Sequence, residues 1–336
     1  MKSVLVVGHG LAGAILAQSL LQKGFHVQCM DADIQYSASS IAAGLINPFI
    51  GPKLNQPEDF DQCIQANSSF FKNWERETGE KLLKKENLIR VFTCEKQGKR
   101  WEELSRISRY AHSFLSPESL KNLGISGEWG AGKTHAYRIN IGRFLTQSKE
   151  KLVSMGCWIN PKMEEIHPKE DKVIIFAEGF NVIENPFFNW LPFAPAQGEI
   201  LELHGPAFPA ISNGTWLLPN KYRNYLTGST WKHANLKSGP TPQGKDEIFG
   251  NLNFVPVEQF KELNHFSGIR SGTKDRNPII GKHPKYNNLF IFNGFGSRGS
   301  TTIKLNANRF IDFLCHDIEL PKNINLTRFR DYYHDS

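Results

Sequence analysis

The stretch from Ser3 to Asp33, SVLVVGHGLAGAILAQSLLQKGFHVQCMDAD, leaves a chain like this few ways to fold. Ser3–Val7 is a short apolar run with strand character, and Gly8, Gly10 and Gly13 follow it at G-x-G-x-x-G spacing. Leu11–Gln22 carries apolar residues at helical intervals until Gly24 stops the helix. His26–Met30 then reads as a second strand with Asp31 at its end. Each glycine has its own task in such a unit. Gly8 permits the tight turn, Gly10 lets a pyrophosphate approach the backbone, and Gly13 lets the helix lie close to the strand. The helix N-terminus, at Leu11 and Ala12, offers N–H groups and a positive dipole end to phosphates. Asp31, with Ala32 beside it, stands where an acid accepts hydrogen bonds from a ribose. Strand, glycines, helix, strand and acid fall within about 30 residues, the length of a dinucleotide-binding unit. The stretch by itself leaves FAD and NAD(P) both open.

At 336 residues the chain is long for one simple core, so two domains or one elaborated α/β unit are expected. The N-terminal apolar run is read as the first strand, not as a signal peptide. No segment reaches the roughly 18–20 continuous apolar residues of a membrane helix, so a cytoplasmic protein is expected. Cys29, Cys63, Cys94, Cys157 and Cys315 are scattered and form no C-x-x-C pair. They are expected to be buried or partly buried free thiols, with neither a disulfide framework nor a metal site. The net charge of +7 fits a surface that steers anionic substrates, or one with loose affinity for RNA. The lysine-rich runs Lys81–Lys85 and Lys96–Arg100 read as solvated faces.

Further along, Ser37–Phe49 is rich in small residues, and Ser39 or Ser40 can cap a short helix there. Helices are expected at Asp59–Gly79, Gln97–Tyr110, Ser116–Leu123 and Ile141–Met155, and strands at Asn87–Thr93 and Cys157–Asn160. Asp171–Gly179, DKVIIFAEG, reads as another parallel strand of the first sheet. Ala196–Leu203, Trp216–Pro219, Tyr225–Thr230 and His265–Gly268 lie between turn signals and predict a mostly antiparallel sheet. Leu289–Asn293 is a strand, followed by a glycine-rich loop and a helix from about Ser300 to His316. That loop contains Gly294, Phe295, Gly296, Ser297, Arg298, Gly299 and Ser300. Backbone N–H groups and a helix dipole there would suit the flavin edge on which negative charge accumulates.

These segments together resemble the D-amino-acid-oxidase family of FAD proteins, especially its glycine-oxidase-like branch, over almost the whole chain. The matching stretches are the fingerprint with Asp31, SSIAAGL at Ser39–Leu45, DKVIIFAEG ending at Gly179, PAQGEIL at Pro195–Leu201, and Gly228–Thr230. The most specific match is GIRSGTKDRNPIIGKHP at Gly268–Pro284, close to the family's G-x-R-P-x-T-x-D-x-x-P-x-I-G pattern. The resemblance implies an α/β fold: a Rossmann-like FAD-binding domain around a mostly parallel sheet, with an inserted antiparallel-sheet substrate domain. The expected division is 1–80, 136–185 and 265–336 for the first, and 81–135 and 186–264 for the second.

It also implies non-covalent FAD, because Gly268–Gly281 holds no cysteine of the kind to which the sarcosine-oxidase branch attaches flavin. Gly8, Gly10 and Gly13 would hold the pyrophosphate and Asp31 the adenosine ribose. Ser39, Ser40, Ala43 and Gly44 would line the flavin side of the pyrophosphate, and Gly294–Gly299 the pyrimidine edge. Arg270 matches the arginine that pairs with the substrate carboxylate, a task suited to a forked, permanently charged guanidinium. The alternative for Arg270 is a structural salt bridge to Asp275. The implied reaction oxidises a small amino acid, or a secondary amine bearing a carboxylate, by hydride transfer to flavin N5. It gives an imine and, with oxygen as acceptor, hydrogen peroxide. Acceptor and oligomeric state stay open.

Three departures stand out. Ser271 replaces the usual proline, and Trp216 stands where the family offers a phenol, with Tyr222 or Tyr225 as substitutes. The segment between Gly156 and Asp171 is short where the family often has a β-hairpin. His265, Lys282 and His283 read as surface or supporting residues, and Lys304 either approaches the flavin or faces solvent. Two other functions stay in play. One is a tRNA-modifying oxidase acting on a carboxymethylaminomethyl-uridine side chain, which also pairs an amine with a carboxylate. The other, prompted by Trp216, is an FAD-binding protein with weak or lost catalysis.

Overall fold

The computed structural model describes residues 3–32, 35–159 and 172–334. β1 (Ser3–Val7), α1 (Leu11–Gln22) and β2 (His26–Met30) occupy the predicted residues. A short α2 (Ala38–Ile41) and β3 (Leu45–Ile46) follow. α3 (Phe60–Thr78) buries Phe60, Cys63, Ile64, Phe70, Phe71 and Trp74 along one stripe, and Gly79 at φ 72° ends it in a left-handed turn. Next come β4 (Leu83–Val91), α4 (Glu95–Ile107), β5 (Ala111–Leu115), α5 (Pro117–Lys121) and β6 (Ala131–Ile139). α6 (Ile141–Ser154) is capped by the Asn140 side chain, which accepts the Arg143 N–H. β7 (Trp158–Ile159) and β8 (Val173–Phe176) return the chain to the first sheet. The shortened segment expected before Asp171 lies, from residue 160 on, outside the described residues. β9 (Ala196–His204), β10 (Ala210–Ser212), β11 (Trp216–Pro219), β12 (Asn224–Gly228), α7 (Pro242–Asn251) and β13 (Lys261–Arg270) build the second sheet and its cover. β14 (Ile279–Lys282), β15 (Leu289–Asn293) and α8 (Gly299–His316) complete the chain.

The first sheet has the order β14–β15–β8–β1–β2–β7 and is parallel apart from its edge strand β14. Its inner strands are buried on both faces, which is why VIIF and LFIFN are continuous apolar runs. The carboxyl ends of β1, β2, β8 and β15 deliver Gly8, Asp31, Ala177 and Gly294 to one edge, the position where open α/β sheets take ligands. The second sheet runs β13–β9–β12–β11–β10–β4–β6–β3, with β5 on β6, and is antiparallel except where β10 meets β4. One of its faces packs Ile89, Leu201, Leu203, Ile211 and Leu217 against Ile248 of α7 and Leu252 just after it. The other carries Ile200 and Trp216 toward the first sheet's ligand edge. Direct bonds join the halves: the Ile269 N–H donates to Tyr36 O at 2.8 Å, and Arg138 Nε to Ala43 O at 3.1 Å. Among the described residues no helix is long and apolar enough to cross a membrane.

Several local expectations are corrected. α4 ends at Ile107, and Ala111 already belongs to a strand. Neither Ser39 nor Ser40 caps α2, whose N-cap is Ser37. The Ser40 hydroxyl donates to Ser37 O, and Ser39 serves α1 instead. Cys29 and Cys63 are buried and Cys157 partly so, but Cys94 and Cys315 are exposed.

Candidate active site

A single cleft of about 590 Å³ runs between the two sheets. Gly8, Gly10, Leu11, Ala12, Asp31, Ser39, Ser40, Ala43, Gly44 and Gly179 line it, as do Arg270, Phe295, Gly296, Ser297, Gly299 and Ser300. Sixteen residues scattered over the chain thus meet on one surface. Gly13, Ala32, Gly294 and Arg298 do not line it. Gly13 acts from beneath, since a Cβ there would stand 1.8 Å from Gly8 O. Ala32 is an exposed residue beyond Asp31. At Gly294 the backbone is left-handed (φ 80°), and a Cβ would meet Thr273 Cγ2 at 2.8 Å. Arg298 donates from Nη2 to Arg276 O at 2.8 Å.

At the dinucleotide end the backbone does most of the shaping. Gly8 turns at φ 101°, and a Cβ on it would stand 2.6 Å from Ala177 O. The His9 N–H donates to Asp31 Oδ1 at 3.0 Å, which fixes the carboxylate at the tip of β2. Ser39 Oγ accepts the Leu11 N–H at 2.9 Å, so α2 is docked on the first turn of α1. Residues the sequence reading missed complete this end. Lys149 Nζ lies 4.7 Å from the centroid of the Trp158 ring, and the His9 ring meets Trp158 edge-on at 5.2 Å. All three line the cleft. Trp158 comes from a two-residue strand and Lys149 from α6, so no local motif marks them.

Glu178 was also missed. It follows β8, lines the cleft, and accepts from Asn185 Nδ2 at 2.6 Å. Burial raises its pKa to about 7, against the lowering effect of the Asn185 bond. Asp31 and Glu178 are the carboxylates among the cleft's lining residues, and both belong to the end built around Gly8.

The opposite end is built from side chains. Arg270 terminates β13, and its Nη2 donates to Ser229 Oγ at 2.6 Å and its Nη1 to Thr230 O at 3.2 Å. The Trp231 ring covers it, with Cζ 4.7 Å from the ring centroid. The alternative salt bridge is absent: Asp275 is held by Arg328 Nε at 2.8 Å. Burial alone lowers the Arg270 pKa to about 10, which leaves it charged at neutral pH. Room for the guanidinium comes from Gly198, paired with Gly268 across β9 and β13, since a Cβ at Gly198 would stand 2.2 Å from Arg270 Nη2. A partly buried cation with two neutral acceptors, an aromatic cover and no carboxylate partner among the described residues has the chemistry to take an anion.

Trp216 lines the cleft, and no tyrosine replaces it. Tyr222 is 87% exposed, and Tyr225 turns to the other face, where its hydroxyl donates to Pro206 O at 2.7 Å. His265 lies 2.9 Å from Glu199, Lys282 is exposed, and His283 is buried beside Phe188 and Trp190. None of the three lines the cleft. Lys304 is neither at the cleft nor in solvent but buried on the side of α8 that packs against α1 and α3. In the second glycine loop, the Gly294 N–H donates to Asn293 Oδ1 at 2.8 Å and the Gly296 N–H to Ser271 O at 3.1 Å. Those two groups therefore shape the loop, and the first turn of α8, with Gly299 and Ser300, presents its N-terminus to the cleft.

Comparison with known proteins places the chain in a family and a fold. A family profile described as "DAO: FAD dependent oxidoreductase" matches residues 3–305. The chain is 22% identical to a glycine oxidase of Pseudomonas putida, over 93% of this chain and 94% of that one. It is 21% identical to a bifunctional protein of tRNA 5-methylaminomethyl-2-thiouridine biosynthesis from Marinobacter nauticus, covering 93% of this chain but 55% of that protein. In fold it is similar to glycine oxidase from Geobacillus kaustophilus, with a TM-score of 0.78 and 18% identity over 98% of this chain and 99% of that one. It is likewise similar to iminodiacetate oxidase from Chelativorans sp. BNC1, with a TM-score of 0.77 and 17% identity over 96% and 98%.

Proposed function

Because this chain belongs to the DAO family of FAD-dependent oxidoreductases, we propose that it oxidises a small amino acid or secondary amine at the carbon bearing a carboxylate. The glycine cradle, Asp31, and the helix N-termini of α1 and α8 fit the cofactor: a Cβ at Gly8 or Gly13 would collide with the backbone of Ala177 or Gly8 and distort the turn, and Gly10 leaves its backbone open to the cleft. When bound, FAD supplies the hydride acceptor. The residues lining the cleft include no cysteine, which supports non-covalent attachment.

This chain's own contribution is orientation. Arg270 takes the substrate carboxylate bidentately, and Ser229 and Thr230 hold the guanidinium so that the acid arrives in one register. Trp231 excludes water from the guanidinium's outer face, and Trp216 and Ile200 wall the approach. The amine must be neutral to release hydride from its Cα. Peroxide is the co-product when oxygen is the acceptor, and the cytoplasm is the proposed location. The observation that carries this reading is Arg270, partly buried in the wall of the cleft and bonded to neutral acceptors with no carboxylate partner among the described residues.

The test is an anaerobic flavin-bleaching screen over glycine, sarcosine, proline, iminodiacetate and tRNA bearing carboxymethylaminomethyl-uridine. Bleaching by one or more of the free acids is expected. Bleaching by tRNA alone would favour the RNA-modifying reading, which the half-length match to the bifunctional relatives supports. No bleaching by any of them would leave a flavin-binding protein without this activity.

A further inference from the structure

Helices α1, α3 and α8 enclose a second depression of about 430 Å³ that shares no lining residue with the cofactor cleft. Its polar walls are Gln22 of α1, Gln62, Gln65, Ser69 and Asn73 of α3, and Asn308 of α8. Every one of these is a neutral amide or hydroxyl, and no carboxylate lines the space. Lys304 also lines it and is only 8% exposed. Its Nζ donates to Asn308 Oδ1 at 2.7 Å and to Ser19 Oγ at 2.9 Å, and lies 5.0 Å from the centroid of the Phe70 ring. Asn308 and Phe70 both belong to the walls, so the ammonium sits at the floor of the depression.

An ammonium has three donors, and two of them have neutral acceptors here. Burying a cation without a carboxylate is unfavourable, and burial, aided by Lys23, lowers the Lys304 pKa to about 8. A cation that is costly to bury, at the base of an open space whose walls can donate but carry no negative charge, is complementary to an anion from outside. We propose that this depression binds a small oxyanion, a carboxylate or a phosphate, with Lys304 meeting its charge and the surrounding amides completing its hydrogen bonds. Such an ion also ties together α1 and α8, whose first turns face the cofactor cleft.

The experiment uses FAD-loaded protein, so that the phosphate-binding cleft is already filled. Inorganic phosphate and succinate are titrated separately at constant ionic strength, with thermal unfolding as the readout and phosphorus NMR line-broadening for phosphate. Saturable stabilisation of the wild type by at least one of the two is expected, and the stronger identifies the source of the anion. Lys304→Met should weaken the response at least about tenfold, as expected for losing a charge-assisted contact. Asn73→Ala, on the wall, should weaken it by a smaller factor and serves as the reporter if Lys304→Met does not fold. No saturable response in the wild type, or one equal in the variants that fold, would overturn the proposal.

Discussion

The two ends of the cleft are made in different ways. The end around Gly8, Gly10 and Asp31 has its frame in about 30 contiguous residues and is shaped mainly by backbone, a left-handed glycine, a helix start and a strand end, with Ser39, Lys149, Trp158 and Glu178 added from elsewhere. The end around Arg270 is assembled from β9, β13 and the segment after β12, and side chains do the selecting. Backbone-built sites carry their instructions locally. Side-chain sites depend on strand register, so each participant looks ordinary until the sheet is formed. Under the proposed function, the first end would recognise what is common to many dinucleotides, whereas the second would decide which amine is oriented.

The sharpest way to break this contrast is to attack each end at a glycine. Gly13→Ala places a Cβ 1.8 Å from the Gly8 carbonyl, where only the backbone can yield. A loss of about 3 kcal/mol and protein purified without flavin are expected, read by thermal unfolding and absorbance. Gly198→Ala puts its Cβ 2.2 Å from Arg270 Nη2, so a side chain can move aside. Flavin content should stay normal while KM for the amino acid rises about 10- to 100-fold, the equivalent of 1.4–2.8 kcal/mol. If Gly198→Ala also lost its flavin, the two ends would not be separable.

Legibility follows the same division. β1, α1, β2, β11 and β15 match their sequence-based expectations residue for residue, because a short apolar run or a helical apolar pattern punctuated by glycine or proline is a local signal. β6, β5, β14 and α7 had no such signal. β6 reads AGKTHAYRI, mixing exposed charge with glycine, and it is a strand because β4 and β5 flank it. β14 is four residues long and contains Gly281 at φ 147°. Arg270 was found through a motif, and Gly198 and Ser229 lie within matched stretches, PAQGEIL and Gly228–Thr230, but that these two and Trp231 place Arg270 depends on strand register and left no local signal. Glu178 lies in the DKVIIFAEG stretch, yet its place in the cleft, like that of Lys149 and Trp158, depends on how distant elements pack.

A smaller effect separates the ends by pH. Glu178 keeps its proton in the folded protein up to about pH 7, while an unfolded glutamate loses it near pH 4.5. Between these values the native state binds more protons, so stability of the flavin-free protein should fall as pH rises through that window and level off above it. Glu178→Gln should flatten this fall, measured by thermal unfolding across the range. It should also hold flavin more tightly at pH 8, because a neutral amide would replace an ionised carboxylate in the lining of a cleft that would take an anionic cofactor. The smallest effect is expected for Ser39→Ala, which removes the bond to the Leu11 N–H and should cost about 1 kcal/mol with a few-fold weaker flavin binding.

The central claim, that the cleft seats an acid at Arg270, is tested most directly by offering the same amine with and without its carboxylate. Sarcosine and dimethylamine, glycine and methylamine are mixed anaerobically with the flavin-loaded wild type and with Arg270→Met, and the rate of flavin bleaching is followed. If the claim holds, one of the acids bleaches the wild type and its decarboxylated partner does not. Arg270→Met should then lose about 100- to 1000-fold in kcat/KM with its flavin spectrum unchanged, as expected when one partner of a buried charge pair is removed. Equal bleaching by the amine lacking a carboxylate, or an unchanged kcat/KM in Arg270→Met, would contradict it.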